Sequence, residues 1–325
     1  MTEVSAEVKA SGRTGRKPER PSGTPAPAGR RRLRRAGERS TLHHYLFAAP
    51  SIVLVAIFFL APFVLSAGLA FTRWTGFSNV ITFNGLDNFR ILDELGVLWH
   101  AIGVTIAYAV IAMLVQNAVS LTLALAMQRS NMINSFFRSI FFIPVLISPL
   151  AAGYVWSALL APKGPINGFL DFLLPGGFDF AWLGHDLSAL VVVASIDAWK
   201  WSGLITLVYI AGLNAIPASL VEAAMIDGAG RWRRFWQIKW PLLAPAVTFN
   251  VVVTLVGAFS AFDIIVATTS GGPGNATSVL NITMYQQFGQ SYFGTASALG
   301  FVVTVMVVLT AVPLVTWLRR REVAA

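Results

Sequence analysis

The sequence predicts an all-α membrane protein with six transmembrane helices. Three observations predict it. The 325 residues are 55% hydrophobic and only 12% charged, about half the charge of a soluble domain. The apolar residues fall in six runs, each near the ~20 residues that cross a bilayer as a helix. The cations are strongly one-sided, as membrane topology requires. Barrel strands are excluded, because they would be about 10 residues long with alternating polarity, whereas helices satisfy their backbone within each segment.

Residues 1–42 come first and differ from the rest. They are rich in Arg, Pro, Gly, Ala and Ser, and Arg30, Arg31, Arg32, Arg34 and Arg35 cluster ahead of the first apolar run. Such a segment buries too little apolar surface to offset its ordering entropy, so a disordered basic tail is expected. Its charges suit the anionic headgroups of membrane lipid. The run that follows is too long for a cleaved signal peptide. The six spans are expected at 46–71, 101–127, 137–160, 187–213, 242–268 and 296–318.

Six spans put both termini on one side. That side carries twenty Lys and Arg; the other has Arg73, Arg90 and Lys163. By the positive-inside rule both termini and the 214–241 loop are cytoplasmic. The net charge of +9 is thus a topology signal, and no nucleic-acid partner is expected. On the outer side, FNGLDNFRIL reads as a turn and a short amphipathic helix, and 161–186 contains the turn sequences KGPIN and PGG. Residues 269–295 are uncharged and include Gly271-Gly272-Pro273-Gly274; the sequons at Asn275 and Asn281 are read as chance.

The long polar interruption at 214–241 is the most telling. Pro217 suits a first helical turn, and Ser219 to Glu222 has the spacing of a capping box. Ala223 and Ala224 give a small-residue face that another protein can approach closely, and Gly228 and Gly230 loosen or end the helix. Then Trp232, Phe235, Trp236 and Trp240 alternate with Arg231, Arg233, Arg234 and Lys239, as on an interfacial helix. Pro241 ends that segment.

Glu222-Ala223-Ala224, then Gly228, Ile238 and Pro241, resembles the EAA loop of binding-protein-dependent ABC transporter permeases. Trp240 stands where that pattern usually has Leu, and remains bulky and apolar. IPASLVEAAMIDGAGRWRRFWQIKWP, FFRSIFFIPVLISPLAAGYVWSALL, TTSGGPGNAT and the APSIVLVAIFFLAPFVLSAGLAFTRW start are similar to the carbohydrate-uptake, MalF/UgpA-like branch. The resemblance covers all but the tail. It implies a type I ABC permease fold over 43–325, with its core at 101–318, in a bacterial inner membrane. It further implies that Glu222, Ala223, Ala224 and Gly228 lie in a coupling helix that docks on a cytoplasmic ATPase. The implied partners are a second permease subunit, two ATPase subunits and an extracytoplasmic solute-binding protein.

The chain itself is not expected to be an enzyme. It has no GxxxxGK[ST] phosphate loop, no cysteine, and no His set with ligand spacing. No cofactor, metal site or catalytic residue is expected. Charges inside spans face the protein interior. Asp197 and Lys200, three apart on the fourth span, can pair on one face; with Asp263 they are the candidates for the translocation path. The alternative, an ion-gradient-driven secondary transporter, is disfavoured by the docking loop and the scarcity of membrane carboxylates.

Overall fold

The computed structural model describes residues 47–77, 80–174 and 177–320; the basic tail expected at 1–42 lies outside them. The chain divides after Phe59. In the leading unit the helix α1 (Phe47–Leu69) begins, with Phe47, Ile52 and Phe58 exposed, as suits a lipid-facing helix. All that follows concerns the main body from Leu60 onward.

Two long helices form its centre: α3 (Val97–Ala126) and α7 (Asp186–Asn214). They follow α2 (Asp87–Glu94), the short amphipathic helix expected from the sequence. The Asn88 amide of α2 donates to the carbonyls of Ala70 and Thr72, at 2.8 and 2.9 Å, and Leu92 is buried beneath it. Between α1 and α2, Thr72–Arg73 and Thr82–Phe83 pair as a two-stranded antiparallel ribbon.

On α3 the buried side is Ala101, Thr105, Ala109, Ala112, Ser120 and Ala124, while Trp99, Ile106 and Leu114 are exposed. Small and hydroxyl side chains let helices approach in lipid, where burial of apolar surface no longer drives association. Polar groups then join them. Ser120 donates to the Ser202 carbonyl at 2.9 Å. Asn117 accepts from Tyr209 at 2.6 Å and donates to Thr254 at 2.9 Å, tying three helices together. On α7, a Cβ at Gly203 would lie 2.3 Å from the Phe141 carbonyl oxygen.

The third expected span, 137–160, is corrected by the structure. It is two helices, α4 (Met132–Leu146) and α5 (Pro149–Leu159), bent by 99°. Pro149 has no N–H and forces the preceding residue out of the helical region. Ser148 is accordingly extended, and its hydroxyl accepts from the Ala151 N–H as the cap of the new helix. Arg138 of α4 donates to the carbonyls of Met127, Gln128 and Arg129, the unpaired end of α3. A cation there complements the helix dipole. The KGPIN stretch is also more than a turn: α6 (Pro165–Leu173) starts inside it, with Pro165 in its first turn.

The fifth expected span, 242–268, is also broken. After α8 (Ala218–Ile226) come α9 (Arg231–Leu242) and α10 (Ala244–Phe259), bent by 68° where they meet. The chain then leaves the helix at 260–262 and resumes as the short α11 (Asp263–Thr268). Counting each bent pair as one span, the described residues hold up to six spans, of which four are single long helices. The helices α12 (Leu280–Gly289) and α13 (Phe293–Arg319) complete the body, and the latter part of α1 packs on α13.

The break at 260–262 is closed by Asn281, whose amide donates to the carbonyls of Phe259 and Ala261 at 3.0 and 3.2 Å. Broken backbone inside a membrane protein survives only where such partners exist. Asn281→Leu is expected to destabilise the protein by about 1–2 kcal/mol. A lowered thermal midpoint of the purified complex in detergent would report it. An unchanged midpoint would mean that Asn281 is dispensable to the break.

Candidate functional site

Two places in the main body hold residues singled out from the sequence. The first is a cavity of about 370 Å³ between α3, α7, α10 and the broken segment at 260–264. Its polar lining includes Tyr108, Gln116, Asp197 and Asp263, with Thr254 and Ser260; Trp201, Leu204, Val253 and Phe262 supply apolar walls. Tyr108, fully buried, donates its hydroxyl to Asp197 at 3.1 Å. This bond ties the carboxylate of Asp197 to α3, and the Trp201 side chain on its own helix also donates to it. Gln116 is buried and turns part of its side chain to the same space. Asp263 is exposed at the first residue of α11, where the helix dipole favours a carboxylate.

Of the three sequence candidates, Asp197 and Asp263 meet in this cavity and Lys200 does not. The expected pairing of Asp197 with Lys200 is not formed; the ion pair present among the described residues is Arg73 with Asp87 at 3.5 Å. Lys200 is buried, with its Nζ 3.4 Å from the Val145 carbonyl at the end of α4 and 3.9 Å from the Trp201 ring centre. An ammonium at a helix C-terminus is held by the dipole and the unpaired carbonyls, so Lys200 secures the first helix break. Asp263 lies beyond the end of α10, not within a continuous span, because the chain turns at 260–262.

Tyr108 and Gln116 were not singled out from the sequence. Gln116 and Asn117 are adjacent polar residues inside an apolar run, which is a readable signal. The hydroxyl of Tyr108 gives none, since Tyr is common in spans and its partner lies 89 residues away.

The second place is α8. Its nine residues bury none of their side chains; Glu222, Ala223 and Gly228 are exposed and Ala224 is half-buried. The expected capping box is absent. Pro217 itself holds the cap position, so Ser219 falls inside the helix and no side chain caps it. The other end is built as the sequence indicated. Gly228 has φ +76°, the Ala229 N–H reaches the Ala224 carbonyl at 2.9 Å, and the Gly228 N–H reaches Met225 at 3.1 Å. This is a Schellman closure, which needs a residue in the left-handed region.

Beside α8 lies a second cavity of about 300 Å³, lined by Gln128, Asn214, Glu222 and Lys239 among others. Lys239 spans it to the Gln128 side chain at 3.1 Å. On α9, Trp232, Phe235, Trp236 and Trp240 pack on one another with ring centres 5.1 to 6.1 Å apart. The described residues contain no cluster of three potential metal ligands.

Residues 116–322 match the family described as "binding-protein-dependent transport system inner membrane component". That stretch is well over half of the chain. The chain belongs to that family. The permease is 31% identical to the probable starch degradation products transport system permease protein AmyD of Thermoanaerobacterium thermosulfurigenes, over 88% of this chain and 97% of that one. It is 38% identical to the sn-glycerol-3-phosphate transport system permease protein UgpA of Brucella abortus, over 82% and 92%. Among solved structures, a bacterial ABC transporter involved in the import of the acidic polysaccharide alginate has the same fold. Its TM-score is 0.74 at 23% identity, covering 87% of this permease and 96% of that chain. The permease is therefore a membrane-embedded subunit of an ABC importer.

Proposed function

We propose that this permease carries a sugar or related solute, delivered by an extracytoplasmic binding protein, through the cavity between α3, α7 and α10. The observation that carries the reading is a buried polar wall of Asp197, Tyr108 and Gln116 facing open space among otherwise apolar helices. Ionisable and amide groups at bilayer depth are costly, and they mark solute paths. The names of the relatives, a starch-products permease and a glycerol-phosphate permease, support a carbohydrate-type solute.

In this reading a second permease subunit completes the path, and two cytoplasmic ATPase subunits supply the work. The permease domain extends over 43–325, with 101–318 as its core. The helix α8, with Glu222, Ala223, Ala224 and Gly228, is the element that docks on an ATPase. It is short, exposed and small-faced, with a rigid glycine-closed end, as a lever that another protein grips should be. The charge bias of the loops puts both termini and α8 in the cytoplasm.

Reconstitution tests the reading. The complete transporter in liposomes, with its binding protein outside, is expected to accumulate sugar only when ATP is supplied, and to keep doing so when ionophores collapse the ion gradients. Uptake that ignores ATP but stops on gradient collapse would replace this reading with a secondary transporter.

A further inference from the structure

The cavity wall carries a charge sign, and that sign separates solute classes. Asp197 and Asp263 both line it, and no Lys, Arg or His does. Lys200, three residues along α7, lies outside this lining with its Nζ on the Val145 carbonyl at the end of α4. Gln116 lines the same space. An amide facing open space presents both a donor and an acceptor to a hydrogen-bonding solute. Asp197 accepts from Tyr108 and Trp201 and still lines the cavity; a carboxylate has about four acceptor sites in all.

We infer that the solute crossing this permease is uncharged and hydroxyl-rich, a neutral saccharide or polyol, and that Asp197, Asp263 and Gln116 select it against anionic carbohydrates. The inference rests on the transport reading above and narrows it. Two carboxylates accept hydroxyl protons well, but they repel a phosphate or uronate brought into the same low-dielectric space. Gln116 offers both a donor and an acceptor to a hydroxyl. Trp201 and Phe262 give the apolar faces against which a sugar's C–H surfaces can rest. The cavity volume of about 370 Å³ falls within the usual range of small-ligand sites, roughly 300–1,000 Å³. A neutral solute would set the permease apart from two of the proteins it resembles. One is named for sn-glycerol-3-phosphate and the other for acidic alginate, and both solutes are anions.

The test uses the complete transporter with its binding protein in ATP-loaded liposomes. It is offered an equimolar mixture of glycerol, trehalose, maltose and maltotriose with sn-glycerol 3-phosphate, galacturonate and alginate oligosaccharides. Mass spectrometry of the lumen then reads what has been carried. Neutral members are expected to accumulate at least about tenfold over anionic ones. Anionic members at or above the neutral ones would overturn the inference while leaving the transport reading standing. No accumulation of any member would overturn the transport reading, and this inference with it. A second arm uses Asp197→Asn, Asp263→Asn and Gln116→Leu, each first checked for assembly by size exclusion. The apparent KM for the accumulated sugar is expected to rise about tenfold, with the maximal rate within about twofold. A KM unmoved in all three would remove these residues from selection. Should a variant fail to assemble, the mixture experiment on the native complex decides alone.

Discussion

Replacing Gly228 by valine is expected to lower ATP-driven uptake to below about a tenth of the native rate, with the complex still assembled in the membrane. Gly228 closes α8 at φ +76°. Holding an L-residue there costs about 1–2 kcal/mol, and a β-branched side chain stands at the upper end. A deficit of about 2 kcal/mol makes the native helix end some thirtyfold rarer against its alternatives. Because α8 buries none of its own side chains, little else in the permease restores that end.

The position also separates two reasons for needing glycine. A Cβ added at Gly228 would meet no atom of this chain within 4 Å. If backbone conformation is what matters, Gly228→Asn should retain more activity than Gly228→Ala, since Asn enters the left-handed region more easily. If instead an ATPase surface presses on this spot, the smaller alanine should win. Uptake and binding-protein-stimulated ATP hydrolysis, measured on the same preparations, give the ranking. A valine variant that transports normally would remove α8 from the coupling role proposed for it.

The class of fold was legible because lipid imposes a composition that a sequence displays directly. Long apolar runs, one-sided cations and the absence of alternation leave helices as the available solution. The glycine-closed end of α8 was legible because a glycine admits the left-handed region; of the two candidates Gly228 adopts it and Gly230 does not. The breaks were harder. Hydropathy averages over a window, so 137–160 and 242–268 read as continuous spans. At the first break a local signal did exist, the pair Ser148-Pro149, which forms a cap and a first turn. The 68° bend of the fifth span has prolines beside it, Pro241 and Pro245, but its turn at 260–262 has none. The carbonyls freed at Phe259 and Ala261 are satisfied by Asn281, about twenty residues downstream.

The site divides along the same line. Asp197 and Asp263 were found because a carboxylate in an apolar run is conspicuous. Their different situations were not, because these depend on neighbours remote in sequence: Tyr108 beside Asp197, and the turn that sets Asp263 at the head of α11. The simple i, i+3 pairing of Asp197 with Lys200 lost to a competing partner. The broken end of α4 offers unpaired carbonyls and a negative dipole end, and Lys200 goes to Val145. One helix break thus removes the cation from the cavity, and a second brings a carboxylate to it. The charge of the cavity is a consequence of where the spans are interrupted.

Leucine at Gly153 is expected to be the most damaging single substitution near the cavity. Gly153 is where α5 and α11 touch. A Cβ there would lie 2.5 Å from the Ala267 Cβ and 3.2 Å from the Ile264 carbonyl oxygen. Neither neighbour can swing aside, since one is a methyl fixed to the backbone and the other is the backbone. Overpacking a tight contact costs about 1–3 kcal/mol, and leucine adds three carbons beyond the Cβ. The helices must part, and the N-terminus of α11 carries Asp263. Two effects should therefore appear together: a lower thermal midpoint of the complex and a higher apparent KM for solute. Gly168→Leu serves as the control, since its Cβ would meet no atom within 4 Å, and it should leave both nearly unchanged. Gly153→Ala refines the test, because the clash it creates is chiefly with the Ala267 methyl. Adding Ala267→Gly should restore most of the lost stability, as two changes at one contact are not independent. If the double variant is no more stable than Gly153→Ala alone, α5 and α11 are not held by this close approach, and the position of Asp263 must have another cause.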